Sequence, residues 1–373
     1  MNIVHLINGL GLGGTETALY RLLCSMNHQT NDTFTVIVLG GAGYYSTKIE
    51  ALGIPIYYLE INKKQLIKKF YHLVLLIKKI NPDVLQTWLY HADLLGGLSG
   101  KLGGVRKIIW SIRCEGVGLK KTTLGLKHVC AWLSWFIPDF IMVNSNKAAD
   151  HHARAGYNRK KMRVIFNGFD SSYFSPNRKK MIDQHDLPKD AFLIGNLARF
   201  HKDKGYLNLI GSIDAICERY PKVYFILCGE GCHDKNTALN TMIATLRHSE
   251  NVILIDGVDD TASYLNNLDI FVLTSITESF PNSLAEAMLC ELPCIATAVG
   301  ESRQILGDTG LLVPRDDTKA FTEACFSMLQ KSPNERKQLG FSARNRIKAR
   351  YSLMHHQSKI YELYKGDNTP CVD

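Results

Sequence analysis

Residues 273–293 read Leu273-Thr-Ser-Ile-Thr-Glu278-Ser-Phe-Pro281-Asn-Ser283-Leu-Ala-Glu286-Ala-Met-Leu-Cys-Glu-Leu-Pro293, which is the pattern of a strand end, a polar turn and a helix. The strand is the apolar run over residues 269–274, and the helix begins near Pro281, a residue that suits a first helical turn. The free N–H groups and the dipole of that turn favour negative charge. The pattern therefore predicts a phosphate site at the start of the helix.

Two carboxylates lie eight positions apart in this stretch. Glu278 belongs to the turn, where it can face the group attached to the far end of a diphosphate. Glu286 lies in the helix and can reach a hydroxylated group beside the phosphate, such as a ribose. Alternatively, Glu286 closes a capping box with Ser283, in which case its carboxylate bonds backbone amides and binds no ligand.

The stretch resembles the E-x7-E signature of the nucleotide-sugar glycosyltransferases of family 4, through Glu278, Glu286 and the residues between and after them. Residues 292–300, Leu-Pro-Cys-Ile-Ala-Thr-Ala-Val-Gly, extend the likeness with a second strand and a glycine turn. The resemblance implies an α/β protein of the GT-B fold, with two Rossmann-like doubly wound domains that face a central cleft. It also implies retaining transfer of a sugar from a nucleotide-diphosphate sugar to an acceptor.

The resemblance also implies roles for individual residues. Arg199 and Lys204 match the cations that hold the donor phosphates, and a leaving diphosphate needs such fixed positive charge. Glu278 would hold the donor sugar and Glu286 the ribose, and the expected catalytic residues are Glu278, Arg199, Lys204 and His91. The positions expected to bind the donor are Gly13, Gly14, Arg199, Lys204, Gly229, Glu230, Val258, Glu278, Ser279, Phe280, Pro281, Asn282, Ser283, Leu284 and Glu286.

Neither a metal nor a cofactor is expected, the sugar nucleotide being a co-substrate. The chain has no Asp-x-Asp sequence of the kind that bridges a diphosphate through a metal ion. Two cysteine pairs have ligand-like spacing, Cys228 with Cys232 and Cys290 with Cys294, but no further pair or histidine cluster completes a zinc site. The ten cysteines are scattered, and several lie in apolar segments, so reduced core thiols are expected.

A glycine-rich turn follows the first predicted strand, residues 2–7. Gly9, Gly11 and Gly14 satisfy G-x-G-x-x-G, which is typical of a dinucleotide-binding unit. Such a unit needs a carboxylate after the second strand to hold the ribose, but here residues 40–43 read Gly-Gly-Ala-Gly. The resemblance instead assigns Gly13 and Gly14 to a loop near the donor diphosphate and the acceptor.

The acceptor side carries a departure from the family pattern. Many members have a histidine after the strand that corresponds to residues 107–112, but this chain has Arg113 there. His91 follows an earlier strand and is the alternative candidate for meeting the acceptor. It can equally be a core or surface histidine.

The length and the alternation of strands and helices indicate two parallel, doubly wound domains. We expect an acceptor- and membrane-facing domain over residues 1–175, a linker over 176–188, a donor-binding domain over 189–350 and a terminal helix over 351–373 that crosses back. No apolar run is long enough to span a membrane, and the chain opens with a strand instead of a signal peptide, so a cytoplasmic location is expected.

The positive charge is concentrated in the first half. Residues 1–175 hold 21 lysines and arginines against 10 acidic residues, whereas residues 176–373 hold 23 against 25. Two helices combine this charge with apolar faces: residues 63–79 with six lysines, and residues 120–136 with Trp132 and Trp135. This composition predicts peripheral contact with an anionic membrane surface. The alternative is that the apolar faces pack on the sheet and the lysines are solvated, and no motif indicates a nucleic-acid partner.

Together these features predict a metal-independent hexosyltransferase whose acceptor is a lipid-linked glycan in the biosynthesis of a surface polysaccharide such as capsule, O-antigen or exopolysaccharide. Two other classes stay open: a GT-B sugar-nucleotide epimerase, and a non-catalytic glycosyltransferase-like subunit. The basic, tryptophan-bearing first half argues against the epimerase, and the four residues Arg199, Lys204, Glu278 and Glu286 argue against the non-catalytic subunit.

Overall fold

The structure is a computed structural model that describes residues 1–27, 31–116, 119–177 and 187–366. It divides into two units, the first comprising Met1–Gly168 and Leu353–Asp373 and the second comprising Phe169–Ser352. Most of the linker expected over residues 176–188 lies outside the described residues.

The first unit is built on a seven-stranded parallel sheet with the order β3-β2-β1-β4-β5-β6-β7. Parallel strands covered on both faces are mostly apolar, and β4 is buried at all five of its residues, two of which are the polar Gln86 and Thr87. The strands are β1 (Asn2–Ile7), β2 (Thr33–Val38), β3 (Ile56–Tyr58), β4 (Val84–Trp88), β5 (Lys107–Ile112), β6 (Phe140–Val143) and β7 (Met162–Val164). The strand order reverses direction between β1 and β4, which makes the carboxyl ends of these two strands the switch point of the sheet.

Helices cover both faces of this sheet. Those in sequence before the second unit are α1 (Gly14–Asn27), α2 (Ser46–Glu50), α3 (Leu66–Ile80), α4 (Tyr90–Gly103), α5 (Lys121–Leu133) and α6 (Asn146–Arg154). Alternate residues of β1 point to opposite faces. Ile3 and Ile7 pack in one core cluster with α1, whereas Val4 and Leu6 pack in another with α3, α4 and α5.

The second unit has a six-stranded parallel sheet with the order β10-β9-β8-β11-β12-β13. Its strands are β8 (Phe192–Leu197), β9 (Val223–Cys228), β10 (Val252–Ile255), β11 (Ile270–Leu273), β12 (Cys294–Thr297) and β13 (Leu311–Val313). Its helices are α7 (Tyr206–Arg219), α8 (Thr237–Ile243), α9 (Thr261–Asn266), α10 (Asn282–Leu289), α11 (Ser302–Leu306), α12 (Thr318–Gln330) and α13 (Pro333–Arg350). Here the order reverses between β8 and β11.

The last helix, α14 (Leu353–Lys365), belongs to the first unit. Ile360 and Leu363 pack in the same core cluster as α1. The Tyr364 hydroxyl donates a hydrogen bond to Gln86 of β4, and the Gln86 amide donates to Ser111 of β5 at 2.7 Å. Buried apolar contacts and a buried polar chain therefore both hold this helix on the first sheet.

The predicted α/β architecture, two doubly wound parallel sheets, is confirmed.

Candidate functional site

Ligands of doubly wound sheets bind outside the carboxyl ends of the strands, at the switch point. In the second unit this point lies between β8 and β11. The loop after β8 carries Arg199 and Lys204, and the loop after β11 carries Glu278 and leads into α10. The strand order therefore brings the predicted phosphate-binding cations and the predicted sugar-binding carboxylate to one edge of the sheet.

Lys204 and Glu278 form an ion pair across these two loops. Lys204 Nζ lies 2.5 Å from Glu278 Oε1, and the Ser275 hydroxyl donates to the same oxygen at 2.8 Å. Both charged side chains are mostly buried, with 21% and 15% exposed. The sequence assigned the two residues to separate groups of the donor, and their pairing is a finding of the structure.

Backbone contacts fix the two loops to each other. The Thr274 hydroxyl donates to the carbonyl of Lys204 at 3.0 Å, and the amide of Ile276 donates to the carbonyl of Asp203 at 2.8 Å. Gly205 has φ +66°, and a Cβ there would overlap the carbonyl oxygen of Thr274. Glycine is needed at this position for both its conformation and its lack of a side chain. Sequence reasoning missed Gly205, although its place directly after Lys204 was a usable signal.

A similar close approach lies on the other side of the Glu278 loop. Gly300 has φ +50°, and a Cβ there would overlap the carbonyl oxygens of Glu278 and Ser279. The amide of Glu301 donates to the carbonyl of Ser279 at 3.2 Å. The glycine turn that follows β12 therefore supports the loop that carries Glu278.

Arg199 lies in the loop after β8, and its side chain is exposed and forms no ion pair with the described residues. Gly229, at φ +145°, packs against the backbone of Ala198 and Arg199, with no room for a Cβ. The amide of Phe200 donates to the carbonyl of Glu230 at 2.7 Å. The backbone of Gly229 thus contacts that of Arg199, and Glu230 bonds to Phe200, the residue after Arg199.

Helix α10 begins at Asn282, with Pro281 as its N-cap and no side-chain capping bond. Ser283 is therefore the second residue of the helix, and the capping box of Ser283 with Glu286 is wrong because Ser283 is already helical. Glu286 is buried on α10. Pro281, the N-cap residue, makes no side-chain capping bond to the first-turn amides, which belong to the expected donor-binding positions.

The other predicted donor-binding positions differ in whether their side chains are exposed enough to contact a ligand. Phe280 is buried, with its ring 6.1 Å from that of Phe169 and 5.6 Å from that of Tyr351, and Leu284 is fully buried. Both side chains belong to the core, so only their backbone groups can face a ligand. Val258 is half-buried after β10, the edge strand beside β9.

In the first unit, the glycine loop lies between β1 and α1, and Gly14 is the first residue of α1. A Cβ at Gly13 would overlap the carboxylate of Glu16, which therefore lies directly against Gly13. Burial raises the pKa of Glu16 above its usual range. Gly9 and Gly11 have open space around the Cβ position. Sequence reasoning missed the contact of Gly13 with Glu16, but the flexible carboxylate can move aside, so the contact alone does not require glycine at position 13.

The first unit's switch point lies next to His91. His91 is the second residue of α4 and is exposed, and it forms no hydrogen bond with the described residues. Leu89, just before α4, has φ +70° and ψ 165°, a conformation that is strained for a bulky residue. Such strain is concentrated at functional sites, so it marks the turn that carries His91, and sequence reasoning gave no sign of it.

The described residues contain no group of three or more histidine, cysteine or acidic side chains that could hold a metal ion. Their nine cysteines are free thiols, including both pairs with ligand-like spacing.

Both helices expected to contact a membrane expose apolar side chains. On α3, Leu73, Val74 and Ile77 are buried, as the packing alternative expects, but Ile67 is 87% exposed. On α5 and the turn after it, Trp132 and Phe136 are each 66% exposed and their rings lie 5.6 Å apart. No helix among the described residues is long and apolar enough to cross a membrane.

Residues 12–173 match the family model described as Glycosyltransferase Family 4, and residues 189–331 match the model described as Glycosyl transferases group 1. The chain belongs to the family 4 glycosyltransferases. The two matches cover most of both units.

Two curated relatives of this glycosyltransferase match it over most of their length. The chain is 26% identical over 311 residues to the capsular polysaccharide biosynthesis glycosyltransferase CapM of Staphylococcus aureus, covering 80% of each chain. It is 23% identical over 336 residues to the UDP-Gal:alpha-D-GlcNAc-diphosphoundecaprenol alpha-1,3-galactosyltransferase of Escherichia coli, covering 86% of this chain and 85% of that one.

Solved structures match the fold of this glycosyltransferase. The crystal structure of HepE from Anabaena in complex with UDP and glucose has a TM-score of 0.87 and 19% identity, and covers 98% of this chain and all of that chain. The apo form of the lipopolysaccharide outer core galactosyltransferase WaaB has a TM-score of 0.71 and 14% identity, and covers 98% of this chain and 99% of that chain. The predicted GT-B fold is confirmed.

Proposed function

We propose that this glycosyltransferase moves a sugar from a nucleotide-diphosphate sugar to a lipid-linked glycan during the synthesis of a surface polysaccharide, with retention of anomeric configuration and without a metal. The observation that carries the donor half is the edge of the second sheet, where the loop that bears Arg199 and Lys204 lies beside the loop that leads from Glu278 into α10. The acceptor half is supported by the names of two relatives that share most of the chain's length, one a capsular polysaccharide biosynthesis glycosyltransferase and the other a galactosyltransferase named for GlcNAc-diphosphoundecaprenol.

The proposed site suits the departure of a diphosphate. As the bond from sugar C1 to the phosphate oxygen breaks, the electron pair goes to that oxygen, and Arg199, Lys204 and the first amides of α10 stabilise the charge. Glu278 binds hydroxyls of the donor sugar, and Glu286 binds the ribose. The acceptor oxygen then bonds to C1. With retention, it attacks from the side of the leaving group, so the departing phosphate oxygen is the nearest base for the acceptor proton.

Uridine diphosphate is the first nucleotide to test. Structures of HepE contain UDP with glucose and UDP-glucose, and the name of the Escherichia coli relative includes UDP-Gal. In the resembled family the turn after β10, at Val258, accepts the base mostly through backbone groups, so side chains alone do not assign the base here. His91 is proposed to contact the acceptor, because it is exposed beside the first unit's switch point.

A peripheral position at the cytoplasmic face of a membrane fits the exposed surface of the first unit. Trp132, Trp135 and Phe136 are exposed next to Lys120 and Lys121, and Ile67 and Tyr71 are exposed on α3. Aromatic rings with lysines are the composition of a bilayer interface. An enzyme that acts on a lipid-linked acceptor needs such contact.

The donor site is tested by isothermal titration of the protein with UDP, GDP and ADP in the presence of EDTA. One nucleotide is expected to bind at micromolar concentration. Arg199→Ala and Glu286→Gln should each weaken that binding by about ten- to a hundredfold, since each removes a charge-assisted contact.

Lys222→Ala is the control, because Lys222 pairs with Asp190 on the surface and lies at the amino end of β9. Thermal unfolding of each variant shows whether the loss of the buried Glu286 carboxylate has unfolded the protein. Failure of all three nucleotides to bind the wild type would overturn the donor site and favour a non-catalytic subunit.

A further inference from the structure

Arg113 is a partly buried cation at the carboxyl end of β5. Its guanidinium donates a hydrogen bond to the side-chain oxygen of Asn167 and lies 5.5 Å from the centre of the Trp88 ring. Within the described residues, no carboxylate lies within 4 Å of it. Burial lowers the pKa of Arg113 to about 10, with no opposing attraction from a neighbouring acid. Among the described residues, the groups that contact the Arg113 guanidinium, Asn167 and Trp88, are neutral.

His356 is the other titratable group that faces Arg113. Burial, and then the charge of Arg113, lower the pKa of His356 to about 3, so this imidazole is neutral at physiological pH. Its Nδ1 lies 2.6 Å from the carbonyl oxygen of Phe166, which orients the ring. Among the described residues, the neighbourhood of Arg113 contains a tryptophan, an asparagine and a neutral histidine, and no acidic side chain forms an ion pair with the guanidinium.

Arg344 of the second unit is a useful comparison, because it is an arginine with a structural role. Its guanidinium donates to the carbonyls of Phe174 and Ser171, at 2.6 and 2.8 Å, and to that of Leu289, and it lies 3.9 Å from Glu291. Arg113 uses one of its five N–H donors on the described residues. Its other four N–H donors make no hydrogen bond to the described residues.

The position of Arg113 is that of a ligand-binding residue. β5 lies beside β4, whose end forms one side of the first unit's switch point. A guanidinium prefers the paired oxygens of a phosphate or carboxylate, which its planar fork bonds in a bidentate manner. An unpaired guanidinium beside a ligand crevice is costly unless an anion completes it.

We propose that Arg113 binds a phosphate group of the acceptor, in a site of the first unit that is separate from the donor phosphate site at Arg199 and Lys204. This inference rests on the proposed function, since it assigns the phosphate to the molecule that receives the sugar. The phosphate can belong to a lipid-linked diphosphate or to a water-soluble phosphate ester. Both present the same oxygens to Arg113.

The test uses inorganic pyrophosphate as the probe, in isothermal titrations on an Arg199→Ala background that weakens the donor phosphate site. Arg199→Ala alone should keep one pyrophosphate site. Adding Arg113→Gln should weaken that site at least about tenfold, because it removes the charged, bidentate partner. Adding Arg106→Gln should change nothing, since Arg106 is exposed at the opposite end of the same strand.

A second titration, with geranyl diphosphate, distinguishes the two possible sources of the phosphate. Geranyl diphosphate that binds more tightly than pyrophosphate, with the same dependence on Arg113, assigns the site to a lipid-linked diphosphate. Equal affinity assigns it to a phosphate ester without a lipid.

Two outcomes overturn the proposal: no pyrophosphate site in Arg199→Ala, or a site of unchanged affinity after Arg113→Gln. If thermal unfolding shows that Arg113→Gln does not fold, Arg113→Lys decides instead. It keeps the charge but loses the fork, and an affinity equal to that of the parent then overturns the proposal. The UDP titration tests the donor site separately. A protein that fails to bind UDP can still bind pyrophosphate at Arg113, and a protein that binds UDP can lack the Arg113 site.

Discussion

Each unit contains a parallel sheet whose strand order reverses once, but the charged side chains near the two switch points are paired differently. In the second unit, Lys204 and Glu278 neutralise each other across the loops after β8 and β11. In the first unit, Arg113 has no acidic partner among the described residues, and His5, His152 and His356 are buried and held neutral. The strand order thus determines where each crevice lies, whereas a few long-range side-chain contacts determine what it can bind.

The largest expected effect concerns the Lys204–Glu278 pair. Lys204→Ala should lower kcat/KM for the sugar nucleotide by about 10²–10³-fold, because it removes a cation from the departing phosphate. Glu278→Gln should also lower it strongly, and the double variant should be no worse than the weaker single variant, since the two side chains act as a unit. The measurement is release of the nucleotide diphosphate from the donor that the titration identifies.

Lys222→Ala, which breaks an exposed ion pair with Asp190 in the same unit, should stay within about twofold of the wild type. Strictly additive losses in the double variant would contradict the idea that the pair forms one functional unit. In that case the contribution of Lys204 at the departing phosphate and that of Glu278 at the donor sugar would be independent of their ion pair.

Local sequence was sufficient for much of this architecture. Apolar runs predicted the strands, including Asn2–Ile7 and Lys107–Ile112 with the bounds observed. The strand, turn and helix around Glu278 also follow from nearby residues, because Pro281 and the apolar run before it act over a few positions. The GT-B fold could be predicted from the sequence because motifs of this kind are local.

The long-range contacts within the candidate site could not be predicted from the sequence. Lys204 and Glu278 are 74 residues apart, and only the neighbouring positions of β8 and β11 bring them together. Gly205 and Gly300 are required because backbone from distant loops approaches them. Arg113 was identified as a departure from the family pattern, but its lack of an acidic partner depends on side chains as far away as His356. None of these contacts leaves a periodic or spaced signal in the sequence.

The next effect contrasts the acid stability of the two units. Burial lowers the pKa of His5 to about 3 and that of His152 to about 4, below the unfolded value of 6.5. The unfolded chain therefore takes up protons first as the pH falls. The stability that these groups contribute is complete above pH 6.5 and is lost progressively towards pH 4, by up to about 3 kcal/mol for His152. The first unit should unfold before the second as the pH falls.

All four tryptophans lie in the first unit, so tryptophan fluorescence follows that unit alone, whereas far-ultraviolet circular dichroism follows both. We expect the fluorescence transition to have the higher midpoint pH. His152→Gln should lower this midpoint, and His128→Gln, at an exposed position of α5, should not. Coincident transitions in both signals would mean that the two units unfold as one.

Asp93 in the first unit has the opposite dependence on pH. Burial raises its pKa to about 7, so its carboxyl group is neutral in the folded protein at mildly acidic pH. Its contribution to stability is lost as the pH rises from about 4, the unfolded value, through 7. Burial also raises the pKa of Glu16, but the three buried histidines outnumber these two carboxyl groups, and the acid loss should dominate below pH 6.5.

The smallest expected effect concerns the exposed aromatic surface of the first unit. Binding to vesicles that contain anionic lipid should fall about threefold to tenfold for Trp132→Ala, and by a similar factor for Lys120→Gln with Lys121→Gln. Raised salt should weaken binding of the wild type, because the lysines act through the charge of the lipid surface. Sedimentation of the vesicles with bound protein measures each value.

Phe341→Ala provides the comparison between the units. Phe341 is also an exposed aromatic residue, but it lies on α13 of the second unit, in the half of the chain without excess positive charge. If exposure of an aromatic ring were sufficient, Phe341→Ala would weaken vesicle binding as much as Trp132→Ala. An unchanged affinity for Phe341→Ala, with a loss for Trp132→Ala, would mean that the ring must lie among lysines to bind the surface. Equal losses would instead remove the distinction between the two units on which the membrane proposal depends.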